Sequence, residues 1–530
     1  MTGYLIAPHD YCLRQRTTFP MQRSNSAPRD RALFPQPLDR VAIALIVVLA
    51  LLIGLLLSGG ERTAPRVREF NWQDKQIGAE DTAFVLTFSR PMDHSSVETN
   101  LRLTPPLPGK FSWAGRRMAY TLNTPAPYGT LFQLQLQGAK DRFDGAGIGR
   151  ASIQAFTGRF QTRDRVFAYI GVQGEEDGRL ILYNLTQQQK KILTPKNLVV
   201  MEFKPYPLGD RLLFTATQRA AQPQGLLEQK LYRVTTGIQV QTPPQLDTQA
   251  EESNQMTHAE PAGNTELVLD SNTYQNLKFD LSSNGKIIIV QRVNRTDPSD
   301  FGPWILRQAE QPQPLKGEPG GDFLITPDSD SLAISQGQGL AILPLKPDAK
   351  PLNFLPKFGM VLNFSRDGSL AAMVKFNSDR TRSLFLVSNQ GSQNELVRIP
   401  GSILSAQFDP TKQMLYCLLT ELITQGSVYK EQPYLAAIDL KTSKLTPLLL
   451  LPDQRDVQVS LSPDGLAFLI DQTITADKGD AARDTPIRNS EGKAIATSRL
   501  WLLPIDPNTP TTQPKPEALP LPGLRPRWLP

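Results

Sequence analysis

One strand–turn–strand pattern returns at near-regular intervals along the C-terminal two-thirds of this 530-residue chain, and that recurrence limits the fold more than any other feature. The clearest copies are Phe364-Ser365-Arg366-Asp367-Gly368 and Leu461-Ser462-Pro463-Asp464-Gly465. Weaker copies are Leu281-Ser282-Ser283-Asn284-Gly285, Ile325-Thr326-Pro327-Asp328, Phe408-Asp409-Pro410-Thr411-Lys412 and Phe203-Lys204-Pro205. Each closes an apolar strand, turns on Pro, Asp, Asn or Gly, and opens another strand. The residues suit the place, because Pro fixes φ while Asp, Asn and Gly accept tight-turn conformations. Positions 281, 325, 364, 408 and 461 are separated by 44, 39, 44 and 53 residues.

A further apolar strand follows each turn, as in Leu180–Asn184, Leu231–Val234, Trp304–Leu306, Leu340–Leu343, Leu384–Val387, Tyr434–Ile438 and Leu500–Leu503. About 40–50 residues per four-stranded unit is the spacing of β-propeller blades. The longer gap from 203 to 281 reads as one blade carrying a Gln-, Pro- and Glu-rich insertion around 236–265. Turn-following strands at 166, 211, 286, 331, 369, 413 and 465 give seven blades, with six or eight as alternatives. Only six have a preceding inner strand, so Gly523–Trp528 is expected to return and pair beside Val166–Ile170, hiding both sheet edges. The S-P-D-G pattern resembles the PD40 repeats of TolB-like and related WD40-like periplasmic propellers. The resemblance covers 163–530 and is strongest from 275 to 470.

The segment 66–160 shows period-two strands, Val85–Ser89 and Phe132–Gln137 among them, broken by Pro91, Pro105, Pro106, Pro108, Pro125 and Pro127. That is the size of one small sandwich. Phe88-Ser89-Arg90-Pro91-Met92-Asp93, Trp113 with Gly115-Arg116-Arg117, Tyr128-Gly129-Thr130 and Lys140-Asp141 resemble the bacterial (SbsA-like) Ig-like domain of surface-layer and envelope proteins. The resemblance implies an extracytoplasmic spacer or adhesion module without catalytic residues.

Upstream, Val41–Leu57 is an uninterrupted apolar run of 17 residues, extendable through Ser58, Gly59 and Gly60. It has no polar face, as a core helix would, and it is longer and later than a cleavable signal region. The expectation is an uncleaved transmembrane signal-anchor over 41–60, near the lower length limit for a span. Residues 1–40 lack apolar periodicity and read as a disordered basic tail, with Arg14, Arg16, Arg23, Arg29, Arg31 and Arg40 against Asp10, Asp30 and Asp39. The tail arginines lean toward a cytoplasmic N-terminus, with the bulk periplasmic or extracellular at an inner or plasma membrane. The formal charge of +6 divides into +3 for the tail and +3 for everything after it, which argues against nucleic-acid binding.

Candidate chemistry is sparse. His9, His94 and His258 are far apart in sequence, giving little material for a metal site or a Ser-His-Asp triad. A hydrolase elbow of the G-x-S-x-G kind is absent. Cys12 and Cys417 would lie on opposite sides of a span and cannot pair; Cys417 reads as a packed strand residue. Glu175-Glu176-Asp177 and Asp328-Ser329-Asp330 offer oxygen ligands but not the EF-hand spacing, so they read as solvated turn carboxylates. The turn Asp residues read as structural, and Pro504–Pro522 as an extended linker to the closing strand. No catalytic, cofactor or metal residue is assigned. The leading expectation is a non-enzymatic, membrane-anchored envelope protein whose propeller binds a protein or glycan partner. The rival is a propeller lyase or hydrolase acting on extracytoplasmic glycans or peptides, and a third reading is a cytoplasm-facing scaffold.

Overall fold

The computed structural model describes residues 37–58, 64–142, 151–221, 228–239, 260–315, 319–337, 339–346, 353–425, 428–452, 454, 456–475, 487–488, 493–506 and 514–530. His9, His258, Cys12 and residues 1–36 of the expected disordered tail 1–40 lie outside them, while its last four, Pro37–Arg40, are helical, contrary to that expectation. The chain divides into two units, Met1–Thr63 and Ala64–Pro530.

The first unit contributes helix α1, Pro37–Ser58. Its described side chains run from 41 to 54 and are all exposed. Among the described residues no helix is long and apolar enough to cross a membrane. The expected span over 41–60 is therefore not shown.

The second unit is all-β apart from α2 (His94–Asn100) and short 3-10 turns. Its first part is a sandwich of two four-stranded sheets. One holds Val67–Phe70, Ala83–Phe88, Arg117–Leu122 and Gly109–Ala114; the other holds Gln76–Ile77, Phe156–Thr162, Leu131–Leu136 and Leu101–Thr104. Alternation along Ala83–Phe88 turns Phe84, Leu86 and Phe88 inward, where they meet Phe132, Leu134, Leu136 and Phe160 of the facing sheet in one core. The Phe88–Asp93 run works locally: Asp93 caps α2 by accepting the Ser96 amide at 3.0 Å, and Met92 bridges to Asp141. An immunoglobulin-type sandwich is built from antiparallel sheets, whereas Gln76–Ile77 pairs in parallel with Gln161–Thr162. The sandwich stands, and its Ig-like identity is not shown.

Seven further four-stranded antiparallel sheets follow in chain order, forming a β-propeller. Six are continuous in sequence. The remaining sheet joins Val166–Gly171, Leu180–Asn184 and Gln189–Ile192 to the last strand, Gly523–Trp528, which lies innermost. The closing register pairs Gly523 with Gly171, Leu524 with Ile170, Arg527 with Ala168 and Trp528 with Phe167. We number this sheet blade 1 and the others 2 to 7. The long second unit of the repeat is blade 2, whose fourth strand is Thr265–Leu269.

The repeated turn explains its own residues. In blade 5 Ser365 Oγ donates to Asp367 and accepts the Leu370 amide, while the Ser369 amide bonds Asp367. Blade 7 repeats this with Ser462, Asp464, Ala467 and Leu466. The closing glycines of both, Gly368 and Gly465, have positive φ. A second demand comes from the neighbouring blade: a Cβ on Gly465 would lie 2.7 Å from Pro410 Cδ, and one on Gly285 3.1 Å from Pro207 Cδ. Proline of one turn thus packs on glycine of the next. Cys417 is fully buried on the second strand of blade 6, where burial pushes its thiol well above the ordinary range.

Candidate functional site

The innermost strands wall a central channel. On all but that of blade 4, the residue two positions before the turn residue reaches toward the next blade. Lys204 of blade 2 pairs with Asp280 of blade 3, and Asp280 also accepts the Ile325 amide of blade 4 at 2.7 Å. Asn363 donates to the Ala406 carbonyl at 2.9 Å. Gln407 donates to Val459 O and accepts from Leu461 N, both at 2.9 Å. Ser460 accepts the Trp528 amide at 3.2 Å, and Arg527 stands 3.6 Å from Glu202. Blade 4 places Leu324 at this position and makes no such contact. Charged members of the series fall on blades 1 to 3, and neutral amides and a hydroxyl on blades 5 to 7.

Deeper in the wall, Asp471 fixes the closing strand. Its carboxylate accepts the Gln458 amide at 2.7 Å and the Arg525 amide at 2.8 Å. Arg525, at φ 52, kinks the strand there and donates through Nη1 to Met201 O of blade 2 at 2.7 Å. Burial raises the Asp471 carboxyl to about 6, although the two backbone N–H groups and Arg525 pull the other way. With both oxygens engaged by amides, this carboxylate acts as a latch between blades 7, 1 and 2.

The channel opens at two faces. The turn face carries a cleft of about 490 Å³ lined by residues that include Phe364, Phe408, Lys412, Pro463 and Trp528. The sandwich docks beside it: Tyr128 N donates to Asp464 at 3.0 Å, Arg165 lies 3.8 Å from Asp464, and Arg366 lies 3.6 Å from Glu80. Asp464 therefore shapes its own turn and holds the neighbouring domain, a second role that its motif does not signal. The opposite face has no such cover from the described sandwich contacts. It exposes Phe301, Phe376, Leu404, Leu450 and Ile474, with Phe376 and Ile474 each 56 % exposed. The hairpin of blade 6 projects there, its pairing running on from Thr420↔Pro433 to Gln425↔Val428 beyond the start of the inner strand.

The carboxylate clusters singled out in the sequence are spread among local partners. Glu176 binds Lys190 and accepts the Tyr169 hydroxyl at 3.1 Å, and Asp177 pairs with Arg219 at 3.3 Å. Asp328 accepts from Thr326 and from the Asp330 amide, while Asp330 pairs with Lys346 at 3.0 Å. His94 stacks on Trp113 at 4.1 Å. Among the described residues no group of three or more His, Cys, Asp or Glu is placed to hold a metal ion. Reading the sequence missed the channel wall. The available signal was a polar residue interrupting the apolar inner strands of blades 2, 3, 5, 6 and 7 just before their turns: Lys204, Asp280, Asn363, Gln407 and Ser460.

No family model matches this chain, and no curated protein does. Among solved structures it is similar to TolB from Acinetobacter baumannii, at 12% identity and TM-score 0.35, covering 65% of this chain and 79% of that one. It is also similar to TolB from Agrobacterium tumefaciens as named in its structure, at 10% identity and TM-score 0.34, over 54% and 90% of the two chains. A Bacteroides fragilis protein named as a candidate 6-phosphogluconolactonase gives 13% identity and TM-score 0.40, over 69% and 98%. Scores below 0.5 carry no argument, so the propeller rests on the strand pairing described above.

Proposed function

We propose that this chain is a membrane-anchored, non-enzymatic envelope interaction or scaffold protein whose propeller binds a protein or glycan partner through the face opposite the repeated turns. The observation that carries this reading is the set of exposed apolar residues on that face, Phe301, Phe376, Leu404, Leu450 and Ile474, contributed by blades 3, 5, 6 and 7. Exposed apolar groups gathered on one face mark interaction surfaces more than scattered ones do. A closed ring of blades holds their spacing fixed, and loops on a rigid scaffold are where binding residues concentrate. In this reading the helix with the Val41–Leu57 run is the anchor, 1–40 faces the cytoplasm, and the sandwich is an Ig-like spacer between membrane and propeller. The exposed apolar side chains at 41–54 support the anchor.

The test is cross-linking of the full chain in its native cells, comparing the natural protein with a Phe301→Ser, Phe376→Ser, Ile474→Ser variant. The variant should fold normally and lose the cross-linked partner. Retention of the same partner in the same yield would overturn the reading. External protease acting on spheroplasts should cut the propeller and spare the tail; the reverse pattern would remove the assigned orientation.

A further inference from the structure

We propose that the outward face of the sandwich sheet holding Leu131–Leu136, continued into a cleft between the sandwich and blades 1 and 2, binds an anionic polysaccharide chain. Alternation along Leu131–Leu136 and Phe156–Thr162 buries Phe132, Leu134 and Phe160 and turns Leu131, Gln133, Gln135, Arg159 and Gln161 outward. The register lays these in three cross-strand rows: Arg102–Gln135–Thr157, Thr104–Gln133–Arg159 and Leu131–Gln161–Gln76. Among the described residues, no side chain of the two arginines and four glutamines in these rows makes a hydrogen bond or ion pair within the protein. No carboxylate stands in the rows, and Asp74 at the rim accepts from Gln73 at 2.8 Å. Gln76 also lines a cleft of about 280 Å³, together with Arg163 and Asp164, with Gln189 and Lys191 of blade 1, and with Gln239 beyond the third strand of blade 2. Arg163 pairs with Glu80, and Asp164 is held by Asn184 and Gln187, which leaves Lys191 as the unpaired cation of the cleft among the described residues.

Strands about 4.8 Å apart, with alternate residues about 6.8 Å apart along each, put the Arg102 and Arg159 backbones about 12 Å from one another. One small anion therefore meets one guanidinium, whereas a chain with repeated negative charges meets both and can run on toward Lys191. The amides between the cations both donate and accept, as sugar hydroxyls do. Leu131, 63 % exposed, is the single apolar side chain in the rows and offers a bed for the C–H face of a sugar ring. Single-stranded nucleic acids are held by aromatic stacking as well as by charge, and the rows contain no aromatic residue. An acidic peptide matches the arginines but brings no series of hydroxyls to the glutamines.

The test titrates the full-length chain with fluorescently labelled polygalacturonate, with dextran, polyglutamate and oligothymidylate as the other arms. Polygalacturonate should bind, and raising the salt should weaken it. Arg102→Gln combined with Arg159→Gln should lower its affinity by about tenfold or more, the worth of lost charge-assisted hydrogen bonds. Gln133→Ala combined with Gln161→Ala should lower it by about two- to tenfold, and Lys191→Gln should weaken it as well. All these side chains lie on the surface, so the melting temperatures should stay unchanged. Lys346→Gln, an exposed cation of blade 4, should bind normally. Equal affinity in the double arginine variant or in Lys191→Gln, or binding of polyglutamate or oligothymidylate as tight as that of polygalacturonate, would overturn the proposal. The variant Phe301→Ser, Phe376→Ser, Ile474→Ser should still bind polygalacturonate, so failure here would leave the opposite-face reading standing.

Discussion

Blades 5 and 7 turn alike on one face of the propeller and differ entirely on the other. At Ser365–Gly368 and Ser462–Gly465 the hydroxyl, carboxylate and backbone N–H groups make the same bonds. At the far ends, blade 5 closes tightly, with Asp379 accepting from the Thr381 amide at 3.1 Å and Asn377 donating to Thr381. Blade 7 instead extends its hairpin to Thr475↔Ile495. The repeated face is constrained because each turn must fit the next around a closed ring. The other face carries no such mutual constraint, so its loops and exposed side chains are free to differ. Regularity here marks what holds the ring, and irregularity marks where binding is proposed.

The sharpest way to break this comparison is to open the ring. Deleting 523–530 removes the inner strand of blade 1 together with the buried side chains Leu524, Trp528 and Leu529. Each is worth about 1.5–3 kcal/mol when fully buried. The deletion should cost at least about 5 kcal/mol, enough to exhaust much of a domain's net stability. Chemical denaturation with and without the segment measures it. A midpoint like that of the intact chain would mean that closure is not what holds the blades.

A smaller effect separates ring packing from backbone preference. Gly465→Ala places a Cβ against Pro410 at φ 77, whereas Gly391→Ala at φ 85 meets nothing within 4 Å. The second change should cost about 1 kcal/mol, the left-handed penalty alone, and the first about 2–4 kcal/mol. Urea midpoints of the two variants give the difference. Equal losses would show that the Pro–Gly contact between turns does no stabilising work.

The smallest expected effect concerns Asp471, the latch on the closing strand. Its folded carboxyl titrates near 6, above the ordinary 3.8. Between roughly pH 4 and 6 the folded chain therefore holds more of this proton than the unfolded chain. The sign of linkage is then fixed: this group makes stability fall as pH rises through that window, by up to roughly 1 kcal/mol per pH unit. Asp471→Asn should flatten that component of the stability profile, while its one oxygen keeps only one of the Gln458 and Arg525 amide bonds and its NH2 faces the other donor. Profiles of the two proteins with identical slopes would show that burial does not govern this carboxylate.

Much of the ring was legible because its causes are local. Ser, Pro, Asp and Gly at fixed offsets announce a turn, and alternation or β-branched runs announce the strands beside it. The closing strand followed from counting: one blade lacked an inner strand, and Leu524 with Trp528 at the far terminus could supply it. The channel wall was harder, since Gln407 or Asn363 alone looks like any polar strand residue. Only the ring brings these side chains to successive junctions. Asp464 shows the same limit, because its bond to Tyr128 joins residues 336 positions apart. The exposed Phe376 and Ile474 were invisible for a different reason: an apolar residue near a strand end gives no sign of whether a neighbour will cover it.

Photo-cross-linking from single positions on the two faces tests the central claim most directly. A photoreactive residue in place of Phe376 lies on the face proposed for binding, and one in place of Gln413, also exposed, lies in the blade 6 turn. In intact cells the account predicts one discrete adduct from position 376, abolished by Ile474→Ser with Phe301→Ser, and no such adduct from position 413. The same adduct from position 413 and none from position 376 would contradict it.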